Sequence, residues 1–148
     1  PLIIREEGEP TTPVDKRQAQ LAAAQAREHE LTLIAEHEGA ILGELAFRSG
    51  ERRRVRHTGE LGITVAAAWR GRGVGRALKE DLLAWVRARG IVQKINLGVL
   101  PQNEAARKLY TSLGFVEEGR CRNSILIDGQ FQDDVQMGLW LGPGPENG

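Results

Sequence analysis

Residues 60–80 read ELGITVAAAWRGRGVGRALKE. Leu61, Ile63 and Val65 alternate with smaller or polar residues, the period-two signature of a strand, and a strand is expected over residues 56–65. Arg70, Gly71, Arg72, Gly73, Val74 and Gly75 follow as a glycine-rich turn. Val74, Leu78, Leu82, Trp85 and Val86 then recur at spacings of three and four, which predicts a helix over 74–89 with Gly90 at its C-cap. A glycine-rich turn between a strand and a helix has a specific chemistry. The first N–H groups of a helix lack intrahelical partners, the dipole is positive there, and glycine lets the backbone approach a phosphate closely. Arg72 and Arg76 add charge at the same place. The turn alone serves equally as a connection that binds nothing.

Two familiar phosphate motifs do not fit. The pattern GxxxxGK[ST] does not occur in the chain. A GxGxxG reading meets Arg76 at its third glycine position when started at Gly71, and Leu78 when started at Gly73. What remains is R-x-x-G-x-G, carried by Arg70, Gly73 and Gly75.

The same alternation extends in both directions. Strands are expected at 31–36 and 40–47, joined by a turn at Glu38-Gly39. Ile95, Leu97 and Val99 mark another strand, and Asn103 precedes a helix over 104–113 that Gly114 ends. Strands at 115–118, 123–127 and 135–141 close the order, with Asp128-Gly129 as a hairpin turn. Ala19, Leu21, Ala22, Ala23 and Ala26 favour a helix over 14–29. Residues 1–13 read as an irregular lead-in, 14–141 as a single domain and 142–148 as a frayed tail. The fold class is α+β (α/β): one mixed, mostly antiparallel sheet flanked by helices.

Composition narrows the function classes. Lys+Arg and Asp+Glu both number 20 in 148 residues, a balance unlike that of a nucleic-acid binder. Arg52, Arg53, Arg54 and Arg56 form a local basic run, read as a solvated loop. No apolar stretch reaches the length of a membrane span, and no signal-peptide pattern opens the sequence. Cys121 is the only cysteine, which excludes an intrachain disulfide and points to a reducing compartment, most simply the cytoplasm; it is read as a packing residue. His29, His37 and His57 lack metal-ligand spacing, so no metal site is expected.

The second motif sharpens the first. Asn103, Ala106 and Tyr110, followed by Gly114-Phe115, give N-x-x-A-x-x-x-Y…G-F. Taken alone, Asn103 is a helix cap and Tyr110 a core aromatic. Together with R-x-x-G-x-G in the same order, the pair resembles the GNAT superfamily of acyl-CoA N-acetyltransferases over roughly residues 36–141. The ending, Gly119-Arg120, then Asp128 to Asp133 and Met137-Gly138-Leu139, resembles the branch holding amino-acid, polyamine and ribosomal-protein alanine N-acetyltransferases. Ala67 stands where that family often has proline.

The resemblance implies acetyl-CoA as co-substrate and a primary amine, best a free amino acid or related small amine, as acceptor, by direct attack through a ternary complex. Protein N-termini and polyamines are the alternatives within enzymes, and a non-catalytic acyl-CoA-binding module is the alternative outside them. It implies that strand 56–65 carries a bulge and splays from a parallel neighbour at 95–99. Ile63 and Val65 would then offer backbone groups to the pantetheine arm, with the Val65 N–H polarising the thioester carbonyl. Arg70, Gly71, Arg72, Gly73, Val74, Gly75 and Arg76 would hold the pyrophosphate, and the Asn103 amide would turn toward the cofactor arm. Tyr110 would protonate the leaving thiolate. Glu60, expected to open the core-facing run of its strand, would serve as base; a plain surface carboxylate is the competing reading, and His57 is a second candidate. Asp133 and Asp134 are read as solvated loop acids that could meet a cationic amine. A homodimer is compatible with the resemblance, and neither nucleic acid nor membrane is an expected partner.

Overall fold

Leu61 faces the core while Glu60 and Gly62 on either side of it are exposed, and this parity organises the sheet. The computed structural model describes residues 28–143. Its strands are β1 (Glu30–His37), β2 (Ala40–Ser49), β3 (Thr58–Val65), β4 (Lys94–Val99), β5 (Val116–Ile127) and β6 (Gln130–Trp140). Its helices are α1 (Val74–Arg89) and α2 (Glu104–Ser112), with a 3-10 turn at Ala67–Trp69. The six strands form one sheet in the order β1-β2-β3-β4-β6-β5. Every neighbouring pair is antiparallel except β3 with β4.

The hairpin turns follow from local chemistry. Glu38 and Gly39 both have positive φ, at 50° and 79°, and Asp128 and Gly129 repeat this at 49° and 73°. Two successive positive φ values match the right-handed twist of the flanking strands. Helix α1 is bounded by Gly73 and Gly90, both left-handed, and the Gly90 N–H donates to the Val86 carbonyl at 3.1 Å. Arg87 and Arg89 occupy its last turn, where cations complement the dipole.

Both described helices cover the same face of the sheet. Leu78, Leu82, Leu83 and Val86 of α1 pack in one cluster with Tyr110 and Leu113 and with Leu45, Phe47, Leu61, Ile95, Leu97, Val135 and Met137 of the strands. The helices also touch each other. A Cβ on Gly75 would lie 3.2 Å from Leu109, and the Lys79 ammonium donates to the Leu113 carbonyl at 2.8 Å. The opposite face, carrying Glu30, Arg48 and Glu60, is covered by no element among the described residues.

Several expectations need correction. Glu28 and His29 form a turn rather than a helix end; the lead-in and the rest of the expected helix over 14–29 lie outside the described residues. Strand β3 starts at Thr58, because Val55 and Arg56 both donate to the Arg52 carbonyl and curl that segment into exposed turns. Residues 116–127 form one strand, not two. It carries two irregularities, one between Glu117 and Gly119 and one between Cys121 and Ile125, where Asn123 has φ 54° and donates its N–H to the Asp133 carboxylate at 3.0 Å. Strand β6 begins at Gln130, five residues earlier than the apolar alternation indicates. Cys121 is exposed and does not pack.

Asp134 is a further exception. Its carboxylate lies over Gly98 of β4 so closely that a Cβ there would come within 2.4 Å of it. Oδ2 accepts from Gln136 Nε2 at 2.7 Å, while Oδ1 is buried without a hydrogen-bond partner among the described residues. Burial pushes this carboxyl above its ordinary range, against the opposing pull of the Gln136 side chain and the Val99 backbone. It is therefore not the solvated loop acid expected from its neighbours.

A Cβ at Gly59 would meet the Phe47 ring at 2.2 Å, whereas one at Gly62 meets nothing within 4 Å. Urea denaturation should show Gly59→Ala destabilised by about 1–3 kcal/mol, with Gly62→Ala nearly unchanged. For Asp134 the folded pKa exceeds the unfolded one, so the native state binds its proton more tightly. Stability is lost as pH rises through that interval. Asp134→Asn should remove this loss, matching wild type in acid and exceeding it near neutrality in pH-dependent denaturation.

Candidate active site

The central pair of strands parts halfway. Strands β3 and β4 pair at Thr58↔Lys94, Gly59↔Ile95 and Glu60↔Asn96, and the ladder ends there. Beyond that point each strand stays attached to its other neighbour. Strand β3 remains in register with β2 as far as Gly43↔Val65, and β4 with β6 as far as Val99↔Val135. The result is a wedge whose apex lies at Glu60 and Asn96. No register shift interrupts the β2–β3 ladder, so the expected bulge in β3 is absent. The opening comes from loss of pairing on the other edge.

The phase of the outer ladders fixes which backbone groups face the wedge. The Ala66 N–H donates to the Leu42 carbonyl and the Gly50 N–H to the Thr58 carbonyl. In an antiparallel ladder this makes Val65, Ile63, Leu61 and Gly59 the residues whose own N–H and C=O point away from β2. The Leu141 N–H donates to the Gln93 carbonyl, which likewise turns Asn96 and Gly98 away from β6. Ile63 and Val65 on one side and Gly98 on the other thus direct peptide groups into the opening. The Val65 carbonyl is met by Arg70 Nε at 3.3 Å. The remaining groups suit a ligand that brings amides of its own, because strand edges inside a sheet demand hydrogen-bond partners.

Both described helices begin past the wide end of the wedge, α1 after β3 and α2 after β4. Gly71 and Gly73 have φ of 72° and 84°, a region that favours glycine. Space around both is open, with nothing within 4 Å of a notional Cβ. Gly73 caps α1 without any side-chain hydrogen bond, and the first intrahelical bond runs from the Ala77 N–H to the Gly73 carbonyl. The N–H groups of Val74, Gly75 and Arg76 therefore have no partner within the helix. This end also lacks an acidic residue in its first turn and carries Arg72 and Arg76 instead. Cations oppose the dipole there. Lys79 adds to the field, its pKa lowered by burial and then by Arg76. The arrangement is unfavourable for an isolated helix and favourable for a bound polyanion.

The individual arginines divide the work. Arg70 clamps the end of β3, so its guanidinium is engaged with protein. Arg72 lies 4.7 Å from the centre of the Trp69 ring, and Trp69 stands edge-on to His37 at 5.6 Å. Asn103 caps α2, its side-chain oxygen accepting the Ala106 N–H at 3.1 Å.

Tyr110 and Glu60 lie on opposite faces of the sheet. Tyr110 is 8% exposed on the helix-covered face, edge-on to Phe115 at 5.9 Å. Burial raises its pKa. Glu60 is exposed on the open face, contrary to the expectation that it begins the core-facing run. The reason is parity: Gly59 and Leu61 take the core side, so Glu60 cannot. It stands at the apex of the wedge, directly across from Arg48, and makes no ion pair among the described residues. Sequence reasoning missed Asp134 as a buried group. Gly98 in mid-strand was the available signal, since such a glycine marks close approach by another group.

Among the described residues, no cluster of three or more His, Cys, Asp or Glu side chains could hold a metal ion, and no helix is long and apolar enough to cross a membrane.

Known proteins share this architecture. The yncA protein from Salmonella typhimurium, whose structure includes its cofactor acetyl-CoA, superposes with a TM-score of 0.78 at 27% identity, covering 96% of this chain and 80% of that one. The L-amino acid N-acetyltransferase AaaT of Escherichia coli is 32% identical over 109 residues, 71% of this chain and 65% of the relative. The [ribosomal protein uS5]-alanine N-acetyltransferase of the same organism is 28% identical over 83 residues, 56% of this chain and 43% of the relative. The chain thus spans less than two thirds of the length of these curated relatives. The family model for acetyltransferases of the GNAT type matches residues 3–115, and the chain belongs to that family.

Proposed function

We propose that this protein transfers the acetyl group of acetyl-CoA to a primary amine, with a free amino acid as acceptor. The observation that carries the reading is the wedge between β3 and β4, whose wide end meets the starts of two helices. An extended arm bearing amides and ending in phosphates matches that combination of strand edges and cationic helix start. The similarity to an L-amino acid N-acetyltransferase supports the choice of acceptor.

Acetyl-CoA supplies an activated thioester and a thiol leaving group. The chain supplies position and proton transfer. Ile63, Val65 and Gly98 hold the pantetheine amides along the wedge. The N–H groups of residues 73–76, with Arg72 and Arg76, hold the phosphates. The acceptor nitrogen must shed a proton before it can attack the carbonyl carbon. Glu60, exposed at the apex, takes that proton directly or through water. A wedge-facing N–H of β3 near the apex polarises the carbonyl oxygen. As the carbon–nitrogen bond forms and the carbon–sulfur bond breaks, the Tyr110 hydroxyl gives its proton to the sulfur, and the surplus proton of the new amide nitrogen returns through water to the Tyr110 phenolate. Burial keeps Tyr110 protonated above the ordinary tyrosine range, so it is present as a donor throughout the working pH range. Its acidity is lower than that of a thiol, so the transfer depends on a positioned hydrogen bond.

Calorimetry should show saturable binding of acetyl-CoA and none of ATP or NAD. Tyr110→Phe should bind acetyl-CoA like wild type and lower turnover about 10²–10⁴-fold, read as release of free CoA thiol; unchanged turnover would remove Tyr110 as the acid. Gly73→Val should weaken acetyl-CoA binding at least tenfold, because a β-branched residue is strained at φ 84°. Unaltered affinity in this variant would sink the assigned phosphate loop.

A further inference from the structure

A charged row crosses the face of the sheet that no described element covers, beside the apex of the wedge. Glu30 of β1 is directly opposite Arg48 of β2, and Arg48 is directly opposite Glu60 of β3. The Arg48 guanidinium pairs with Glu30, yet the Arg48 side chain remains 72% exposed. A guanidinium has five N–H donors in a planar fork, so this pairing leaves others free to face the groove. The groove is lined by Glu30, Thr32, Ala46, Arg48 and Glu60. Its neighbour along β3 is Gly62, above which there is open space, so the small residues Ala46 and Gly62 leave room beside the charges.

The pattern of signs selects among amines. Adjacent strands set Arg48 and Glu60 side by side, a cation next to a carboxylate. An α-amino acid carries the complementary pair, a carboxylate next to an ammonium, on one carbon. A polyamine offers only positive charge and no carboxylate for the Arg48 fork. A protein N-terminus has no α-carboxylate and would leave the Arg48 fork unfilled.

We propose that Arg48, tethered by Glu30 and standing beside Glu60, receives the α-carboxylate of the acceptor and so selects zwitterionic amino acids over simple amines. Glu60 then holds the ammonium of the same molecule at the apex, where its proton is removed. This inference rests on the acetyltransferase reading above and adds the residue that determines acceptor class.

The test compares L-amino acids with their methyl esters and their decarboxylated amines, using release of CoA thiol by wild type, Arg48→Ala and Arg48→Lys. Wild type should prefer the free amino acid. Arg48→Ala should lower kcat/KM for free amino acids about 10–100-fold, mainly through KM, as expected for a lost charged hydrogen bond. Its kcat/KM for esters and amines should change less than about threefold. Arg48→Lys should recover part of the loss, keeping the charge but not the fork. Because Arg48 is exposed, all three proteins should share one denaturation midpoint. Equal wild-type rates with and without the carboxylate, or an equal loss on every acceptor in Arg48→Ala, would overturn the role of Arg48 while leaving the transferase reading intact. Failure of wild type to acetylate any amine would overturn both.

Discussion

Two strands that begin as hydrogen-bonded partners and end apart impose a demand on everything around them. Strands β3 and β4 share three paired positions, and each then follows a different antiparallel neighbour. Peptide groups of Ile63, Val65 and Gly98 face the gap as a result. Inside a sheet such groups are costly without partners, at roughly 1–3 kcal/mol each when buried and unsatisfied. The fold tolerates the gap because its outer ladders and the core packed beneath are complete. Leu45, Leu82, Ile95, Leu97 and Val135 are fully buried on the side that holds the sheet together.

The same logic extends to the start of α1. Natural helices place acids in the first turn, and this one places arginines around it. A local choice that opposes stability is informative when it coincides with a second one, here the unpaired strand edges a few residues away. Each conflict is relieved by one kind of ligand, an amide-bearing arm with an anionic end. The face that no described element covers adds a third element, the Glu30–Arg48–Glu60 row, at the narrow end of the wedge where the proposed acceptor would bind. Tyr110 lies on the helix-covered face and Glu60 on the face that no described element covers, so the sheet itself separates the proposed proton donor from the proposed proton acceptor.

Much of this was legible in the amino-acid sequence, for identifiable reasons. Helix α1 was readable to the residue because its apolar spacing and both glycine caps agree. The hairpins at Glu38-Gly39 and Asp128-Gly129 were readable from turn chemistry. Alternation gave β4, but the backbone roles of Ile63 and Val65 came from family resemblance, since spacing says nothing about which edge a peptide group faces. Glu60 was assigned to the wrong face although its parity with Leu61 was available. Arg70 was read as a ligand for phosphate, and its bond to the Val65 carbonyl depends on a tertiary turn that no periodicity encodes. The merged strand β5 and the buried carboxylate of Asp134 depend on cross-strand contacts, with Asp133 holding one irregularity and Gly98 admitting the other side chain.

In the proposed function an acetyl-CoA molecule completes the hydrogen bonding of the wedge and of the α1 start. Amide hydrogen exchange of the full chain, with and without acetyl-CoA, tests it most directly. The account predicts slowed exchange at Ile63, Val65 and Gly98 and across residues 73–76, with little change in β1 or β5. Exchange at those amides that is indifferent to saturating acetyl-CoA would contradict it.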